Sequence, residues 1–413
     1  MKPASPGGST GPGLLFILSA LIAIGPFTME AYMPALPTIA QELHAGIVQA
    51  NFSISTFLIG LAIGQLVGGP ISDQRGRKPN AIYGLSAFCL SSIGIMFSHD
   101  ITLVQLFRFT QGLGVGFAAV VAMPTVRDVY EPEEAARKMP LVSAVMVIAP
   151  TIAPVFGAVI MQWSWRAIFG LVAILSIVIM WTYRKRVPET RLQKATVSFK
   201  KIVSQYLAVI KHRQNGRLIG AKYVFVIALS SGVFLTFLTN AAWIYIDYYN
   251  VSEFEFPLYF AIHALAILLA NVLVSRLLAF LDAFALLRIT ILIQALLVCS
   301  MLAFVLTAGL NLTGFVVLVG LAIGAGAIIN SCAMAMLFAY FHQLTGSASS
   351  LMAFMRFASG AALGALSGLL FNHTLLPILG TMLASSICCL ILACTLPVVT
   401  LREVAAQPRE EGL

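Results

Sequence analysis

The chain has 413 residues, of which 59% are hydrophobic and 10% are charged, with a formal net charge of +9. Soluble domains carry about 25% charged residues, so this composition lacks the polar surface of a water-exposed fold. It excludes a soluble enzyme, a nucleic-acid binder and a disordered chain. The positive charge lies in short clusters between apolar blocks, where its position matters more than its sum.

Taken in chain order, those blocks are long enough to cross a bilayer. No Asp, Glu, Lys or Arg occurs from Leu43 to Ser72, Tyr223 to Ile246, Ile289 to Met355, or Phe357 to Leu401. Punctuation by Gly, Pro, Asn and charges predicts twelve helices, the first six at roughly 14–38, 48–71, 79–98, 101–126, 138–161 and 165–184. The second six fall at roughly 217–245, 256–280, 284–308, 312–341, 347–370 and 375–399. Each covers the ~30 Å hydrocarbon core at about 1.5 Å per residue. Membrane strands would alternate apolar and polar residues. These blocks are apolar all round, so an all-α polytopic membrane protein is expected.

Lys and Arg set the expected orientation. With both termini in the cytoplasm, the inner face receives Lys2, Arg75, Arg77, Lys78, Arg127, Arg137, Lys138, Arg276, Arg288, Arg402 and Arg409. The connection between helices 6 and 7 adds ten more basic residues, from Arg184 to Arg217, against Glu189 alone. Outer loops carry Glu42, Asp100, Asp247, Glu253 and Glu255, with Arg166 as the lone basic residue near that face. This asymmetry predicts a cytoplasm-inside topology.

The long interruption between helices 6 and 7 splits the chain into six helices plus six, as duplication of a six-helix unit would. The expected organisation is a tail at 1–13, a bundle at 14–184, a linker at 185–216, a second bundle at 217–399 and a tail at 400–413. In the linker, Val197, Ile202, Val203, Tyr206, Leu207, Val209 and Ile210 are interleaved with Lys200, Lys201 and Lys211. Such a segment suits the anionic inner leaflet, so membrane lipid is an expected partner; a partner-binding helix is the alternative. Cys89, Cys299, Cys332, Cys388, Cys389 and Cys394 all fall inside spans without metal-site spacing and read as packing residues.

Between helices 2 and 3 the chain reads Gly69-Pro70-Ile71-Ser72-Asp73-Gln74-Arg75-Gly76-Arg77-Lys78. This resembles the signature loop of the major facilitator superfamily, which implies two pseudo-symmetric six-helix bundles. Gly76 supplies a tight turn, Asp73 can cap a helix N-terminus in the other half, and Arg77 can hold a second carboxylate. By resemblance Asp128 is that carboxylate, so Gly69, Asp73, Gly76, Arg77, Lys78 and Asp128 are expected to form a conformational latch.

Helix 1 carries Thr28-Met29-Glu30-Ala31-Tyr32-Met33-Pro34. It looks like the helix-1 pattern of the Bcr/CflA branch of drug:proton antiporters, with Glu30 where that branch usually has Asp. Glu30 lies about nine residues from the outer end of the helix, hence ~13 Å deep. A carboxylate there is costly unless it is paired, neutralised or facing a water-filled cavity; snorkelling to the interface is the alternative. Helix 4 contains Arg108-Phe109-Thr110-Gln111-Gly112, similar to the superfamily's helix-4 pattern. Arg108 is at nearly the depth of Glu30, and the implied fold sets both helices around the cavity. Glu30 and Arg108 are therefore expected to pair and to couple protons.

Gly112, Gly114 and Gly116 follow no strand and lie within a membrane helix, so they read as close packing and not a dinucleotide loop. No phosphate-binding loop occurs, which leaves an ion gradient as the energy source. In helix 5, Pro150, Pro154 and Gly157 resemble the superfamily's antiporter motif, with Ala149, Ala153 and Pro154 replacing its glycines. Trp165-Arg166 and Pro188-Glu189-Thr190 also look like the Bcr/CflA branch.

The second half keeps little of the signature loop, from Ser275-Arg276 to Asp282. Helix 11 places Gly360, Gly364 and Gly368 on one face. Arg356 lies near its midplane, a candidate for an anionic substrate or for a pair with Asp247. His263 is a further titratable group. Phe27, Tyr32, Gln111, Trp243, Tyr245, Tyr340 and Arg356 are the expected cavity residues.

The resemblance implies a proton-driven exporter of small amphipathic compounds in the bacterial inner membrane, working by alternating access. It is expected to be no enzyme, to be a monomer, to bind no nucleic acid, and to need no cofactor or metal besides the proton. An exporter of one native metabolite (a siderophore or amino acid), a proton symporter and a membrane sensor are the alternatives.

Overall fold

Side chains that are apolar on every face leave the backbone no aqueous partner, so the blocks satisfy their own N–H and C=O groups as helices. The computed structural model describes residues 12–190, 199–214, 216–341 and 345–397. Most of the two expected tails, and 191–198 of the expected linker, lie outside the described residues.

Helix α1 (Pro12–Tyr32) passes through a 3₁₀ turn at Met33–Ala35 into α2 (Leu36–Glu42), bent where Pro34 and Pro37 remove backbone donors. Helices α3 (Ile47–Arg75) and α4 (Arg77–Met96) meet at Gly76, whose φ of 110° is open to glycine. Asp100 caps α5 (Ile101–Ala119) by accepting from the Thr102 and Leu103 N–H groups. Short α6 (Ala122–Val129), α7 (Pro132–Ile160) and α8 (Trp165–Arg186) complete the first half.

The connection contains α9 (Phe199–Lys211) and a hairpin of β1 (Arg213–Gln214) with β2 (Arg217–Leu218), in register Arg213 to Leu218. The second half begins with α10 (Ile219–Ala242), which ends in a π-helical turn at Trp243–Tyr248. It continues with α11 (Phe256–Leu277), α12 (Ala283–Thr307), α13 (Leu312–Tyr340), α14 (Thr345–Leu369) and α15 (Leu376–Cys394).

Among the described residues, 11 helical rods are long and apolar enough to cross a membrane, with α1–α2, α5–α6 and α10 with its π turn each counted as one. The remaining position of the expected twelve belongs to α7. It is continuous over 29 residues; its first turns carry Glu133, Glu134, Arg137 and Lys138, and from Met139 to Ile160 it carries no charged residue.

Small residues set the closest helix contacts. A Cβ at Gly60 would fall on the Phe109 carbonyl oxygen, and one at Gly112 on that of Phe57. Backbone thus meets backbone where α3 crosses α5, as the glycine pattern of helix 4 predicts.

The core is continuous at one end of the molecule and divided at the other. Away from the basic loops, Tyr32, Ile54, Phe57 and Trp165 of the first half join Phe237, Trp243, Tyr245 and Phe315 of the second in one apolar cluster. At the basic end each half keeps its own: Leu18, Leu21, Leu85, Val126 and Tyr183 in one, Val226, Leu287, Cys332 and Met336 in the other. The halves meet through α3 against α14 and α7 against α11. Helix α9 reaches both, as Tyr206 donates to the Leu66 carbonyl at 3.0 Å and Gln205 Oε1 accepts from Ser347 at 3.1 Å.

Candidate functional site

Glu30 is buried in α1, and its Oε2 meets no hydrogen-bond donor. The expected pair with Arg108 is not made. Successive residues are rotated about 100° around a helix, so Tyr32 points about 200° away from Glu30. It is the Tyr32 ring that faces α5, with the Arg108 guanidinium 4.6 Å from its centroid and 4.4 Å from that of Phe57. Equal depth does not bring Glu30 and Arg108 together, because they approach different faces of α1.

Arg108 is fully buried in an aromatic sandwich, where a guanidinium is attracted to the ring faces. Its Nη1 donates to Gln111 Oε1 at 2.7 Å, and Gln111 Nε2 donates to Ser92 at 2.8 Å. Its Nε and Nη2 have no acceptor. Tyr32 is held by a 2.9 Å hydrogen bond to Ser53. Gln111 and Tyr32, expected to line the cavity, are instead sealed from solvent and engaged with Arg108.

At the loop between α3 and α4, Arg77 Nε donates to Asp128 Oδ2 at 2.5 Å and its Nη1 lies 3.6 Å from Asp73 Oδ1. The other Asp128 contact is from Thr190, at 2.9 Å. Among the described residues the Asp73 carboxylate meets Arg77 of its own half and caps no helix of the other. Glu189 occupies the end of α4, its two oxygens accepting from the Arg77 N–H at 3.0 Å and the Lys78 N–H at 3.1 Å. A carboxylate at a helix N-terminus satisfies orphan donors and the helix dipole together. A Cβ at Gly76 would meet Glu189 Oε2 at 2.5 Å, a second reason for glycine there. Glu189→Ala is expected to cost about 1.5–3 kcal/mol, the worth of charge-assisted hydrogen bonds, with Glu189→Gln intermediate. Thermal unfolding of the purified protein checks this; an unchanged midpoint in Glu189→Ala would make the contact incidental.

In α7, Pro150 and Pro154 sit within a continuous helix. A Cβ at Gly157 would fall on the Ala31 carbonyl oxygen, so α7 touches the backbone of α1 one residue from Glu30. Phe27 packs nearby on Phe156, ring centroids 6.0 Å apart.

The expected aromatic wall of the second half does not form. Tyr245 is fully buried, with its hydroxyl 2.6 Å from His263 Nε2 and its ring stacked on Tyr259 at 5.1 Å. Tyr340 ends α13 at the basic end, against His212 and Tyr223 at 5.9 and 6.0 Å. Trp243 packs on Phe371 at 4.8 Å and lines an outer cleft of about 340 Å³ with Asp247 and His373. Arg356 does not meet Asp247. A 2.6 Å hydrogen bond from Ser359 to the Ala228 carbonyl fixes α14 against α10, about five turns of α10 away from Asp247. Arg356 instead lines a separate cavity of about 240 Å³.

Residues 15–365 match the model of the Major Facilitator Superfamily. The chain belongs to that superfamily. Relatives of this major facilitator protein include a bicyclomycin resistance protein homolog of Haemophilus influenzae, 28% identical over 89% of this chain and 92% of the relative. The multidrug resistance protein MdtL of Escherichia coli is 29% identical over 59% of this chain and 61% of its own length. The fold is similar to that of an auto-inhibited POT family peptide transporter, with TM-score 0.73 and 11% identity over 96% of this chain and 100% of that one. A D-xylose–proton symporter matches with TM-score 0.71 and 15% identity over 95% and 98% of the two chains.

Within this superfamily fold, two features escape a reading of the sequence. Glu189 stands more than a hundred residues from the helix it caps, and its only local signal is the Pro188-Glu189-Thr190 triplet. Phe57 beneath Arg108 gives no signal at all, since one more Phe in an apolar block looks like lipid-facing or core packing.

Proposed function

We propose that this chain is a proton-coupled exporter of small amphipathic compounds, a Bcr/CflA-type drug:proton antiporter of the bacterial inner membrane. The observation that carries the reading is Glu30, a carboxyl buried in a membrane-spanning helix with an oxygen that meets no donor. An anion in such a place is costly without a partner, whereas a protonated carboxyl is tolerated. A group with that requirement binds a proton in one state and releases it in another. The names of the bicyclomycin and multidrug resistance relatives support drug export as the work done.

In this reading the basic end and both termini face the cytoplasm. The divided core at that end supports reading this as the inward-facing state, with the outer side sealed by the apolar cluster that joins the halves. In the outward-facing state the basic ends close, which would bring Asp73 to the N-terminus of α14 as a latch. The proton is the coupling ion, no cofactor takes part, no reaction is catalysed, and one chain suffices.

The test uses everted membrane vesicles acidified inside by respiration, with acridine orange reporting the pH difference. Adding ethidium or another amphipathic probe should release protons and restore fluorescence in vesicles holding this protein, and not in vesicles without it. Deepened acidification on adding the probe would mark a symporter. No response across a panel of amphipathic probes would remove the drug-export reading.

A further inference from the structure

The Arg356 side chain is exposed and lines a cavity of about 240 Å³ between α10, α11, α13 and α14. Most polar groups on the cavity wall are already engaged. Asn330 donates to the Gly326 carbonyl at 2.8 Å and accepts from Ser231 at 3.1 Å. Two are not: among the described residues, neither the Arg356 guanidinium nor the Asn271 side-chain amide has a hydrogen-bond or ion-pair partner. No carboxylate lines the space, while Phe234 and Met334 give it an apolar wall. A guanidinium at membrane depth is retained where it pairs or faces a water-filled path. This one faces a cavity that offers it no anion.

We propose that this cavity is an oxyanion subsite, in which Arg356 and Asn271 hold the carboxylate, sulfonate or phosphate of an amphipathic substrate whose apolar body lies along Phe234 and Met334. The guanidinium fork matches an oxyanion bidentately, and the amide supplies a further donor. The proposal rests on the export reading and adds amphipathic anions and zwitterions to its substrates. A free solute and a lipid phosphate share this chemistry. The solute is favoured because the cavity is walled by four helices of the second half.

The test is calorimetric titration of the full chain, in phosphatidylcholine nanodiscs, with 2-naphthoate and its uncharged isostere 2-naphthamide. The acid should bind at least about tenfold more tightly than the amide, as a charge-assisted hydrogen bond requires. Arg356→Gln should bring the acid to the level of the amide, with Arg356→Lys intermediate. Equal binding of acid and amide by the unmodified chain overturns the subsite without recourse to any variant. Acid binding that weakens when phosphatidylglycerol replaces part of the phosphatidylcholine assigns the site to lipid and overturns the substrate role. The two readings also fail separately. Ethidium export without naphthoate binding leaves the exporter and removes the subsite, whereas Arg356-dependent binding without naphthoate accumulation in energised vesicles leaves the subsite and counts against export.

Discussion

Glu30→Gln is expected to abolish uphill export while leaving downhill exchange of substrate across the membrane intact. Glutamine keeps the volume and polarity of a protonated glutamate but carries no exchangeable charge, so the variant mimics one half of the cycle and never reaches the other. One proton moving through 100 mV and one pH unit supplies ~2.3 and ~1.4 kcal/mol, which sustains a gradient of neutral substrate of about a few hundredfold. With the coupling group gone that ratio should collapse to about one. Glu30→Asp should keep part of the activity, since the carboxyl remains on a shorter arm. Accumulation ratios in energised vesicles, read beside counterflow in de-energised ones, separate lost coupling from lost folding. Uphill accumulation by Glu30→Gln with normal proton release would move the proton site elsewhere.

The sequence made the fold legible because a membrane imposes a coarse and stringent rule. Charge-free blocks of twenty or more residues must be helices that satisfy their own backbone, and the boundaries at Gly76 and Asp100 are turn and cap chemistry that reads locally, whereas α7 begins at Pro132, six residues before the expected start. At the loop, the turn at Gly76 and the Arg77–Asp128 contact are as the family resemblance implies, whereas Asp73 meets Arg77 and caps no helix of the other half among the described residues. Pairing across helices was not legible. Depth along a helix follows from counting residues, and it set Glu30 and Arg108 level; azimuth decides contact, and a helix surrounded by neighbours on every side has no polar face to fix it. Tyr340 shows a second limit: aromatic type suggested a pocket wall, while its place at the end of α13 puts it at the basic end. Tyr245 shows a third, because its partner His263 reaches it only once α10 and α11 are packed.

The Arg108 sandwich leads to a prediction in which stability and function part. A buried charge replaced by an apolar side chain of similar size is often neutral or stabilising. Arg108 makes one hydrogen bond, to Gln111, and leaves two nitrogens without acceptors between the rings of Tyr32 and Phe57. If the site existed only to hold α1, α3 and α5 together, a leucine would fill it at least as well. Arg108→Leu is therefore expected to keep the thermal unfolding midpoint within a few degrees of the unmodified chain, since the lost ring attraction of about 2 kcal/mol is offset by relief of the unpaired donors. Export should nevertheless fall to background. In the proposed exporter, the open donors are groups for a substrate oxygen or the Glu30 carboxylate to engage in another state of the cycle. Arg108→Lys should be both less stable and inactive, because an ammonium on a flexible stem cannot lie flat between two rings. Midpoints and vesicle export measured on the same preparations decide the matter, and normal export by Arg108→Leu would reduce Arg108 to packing.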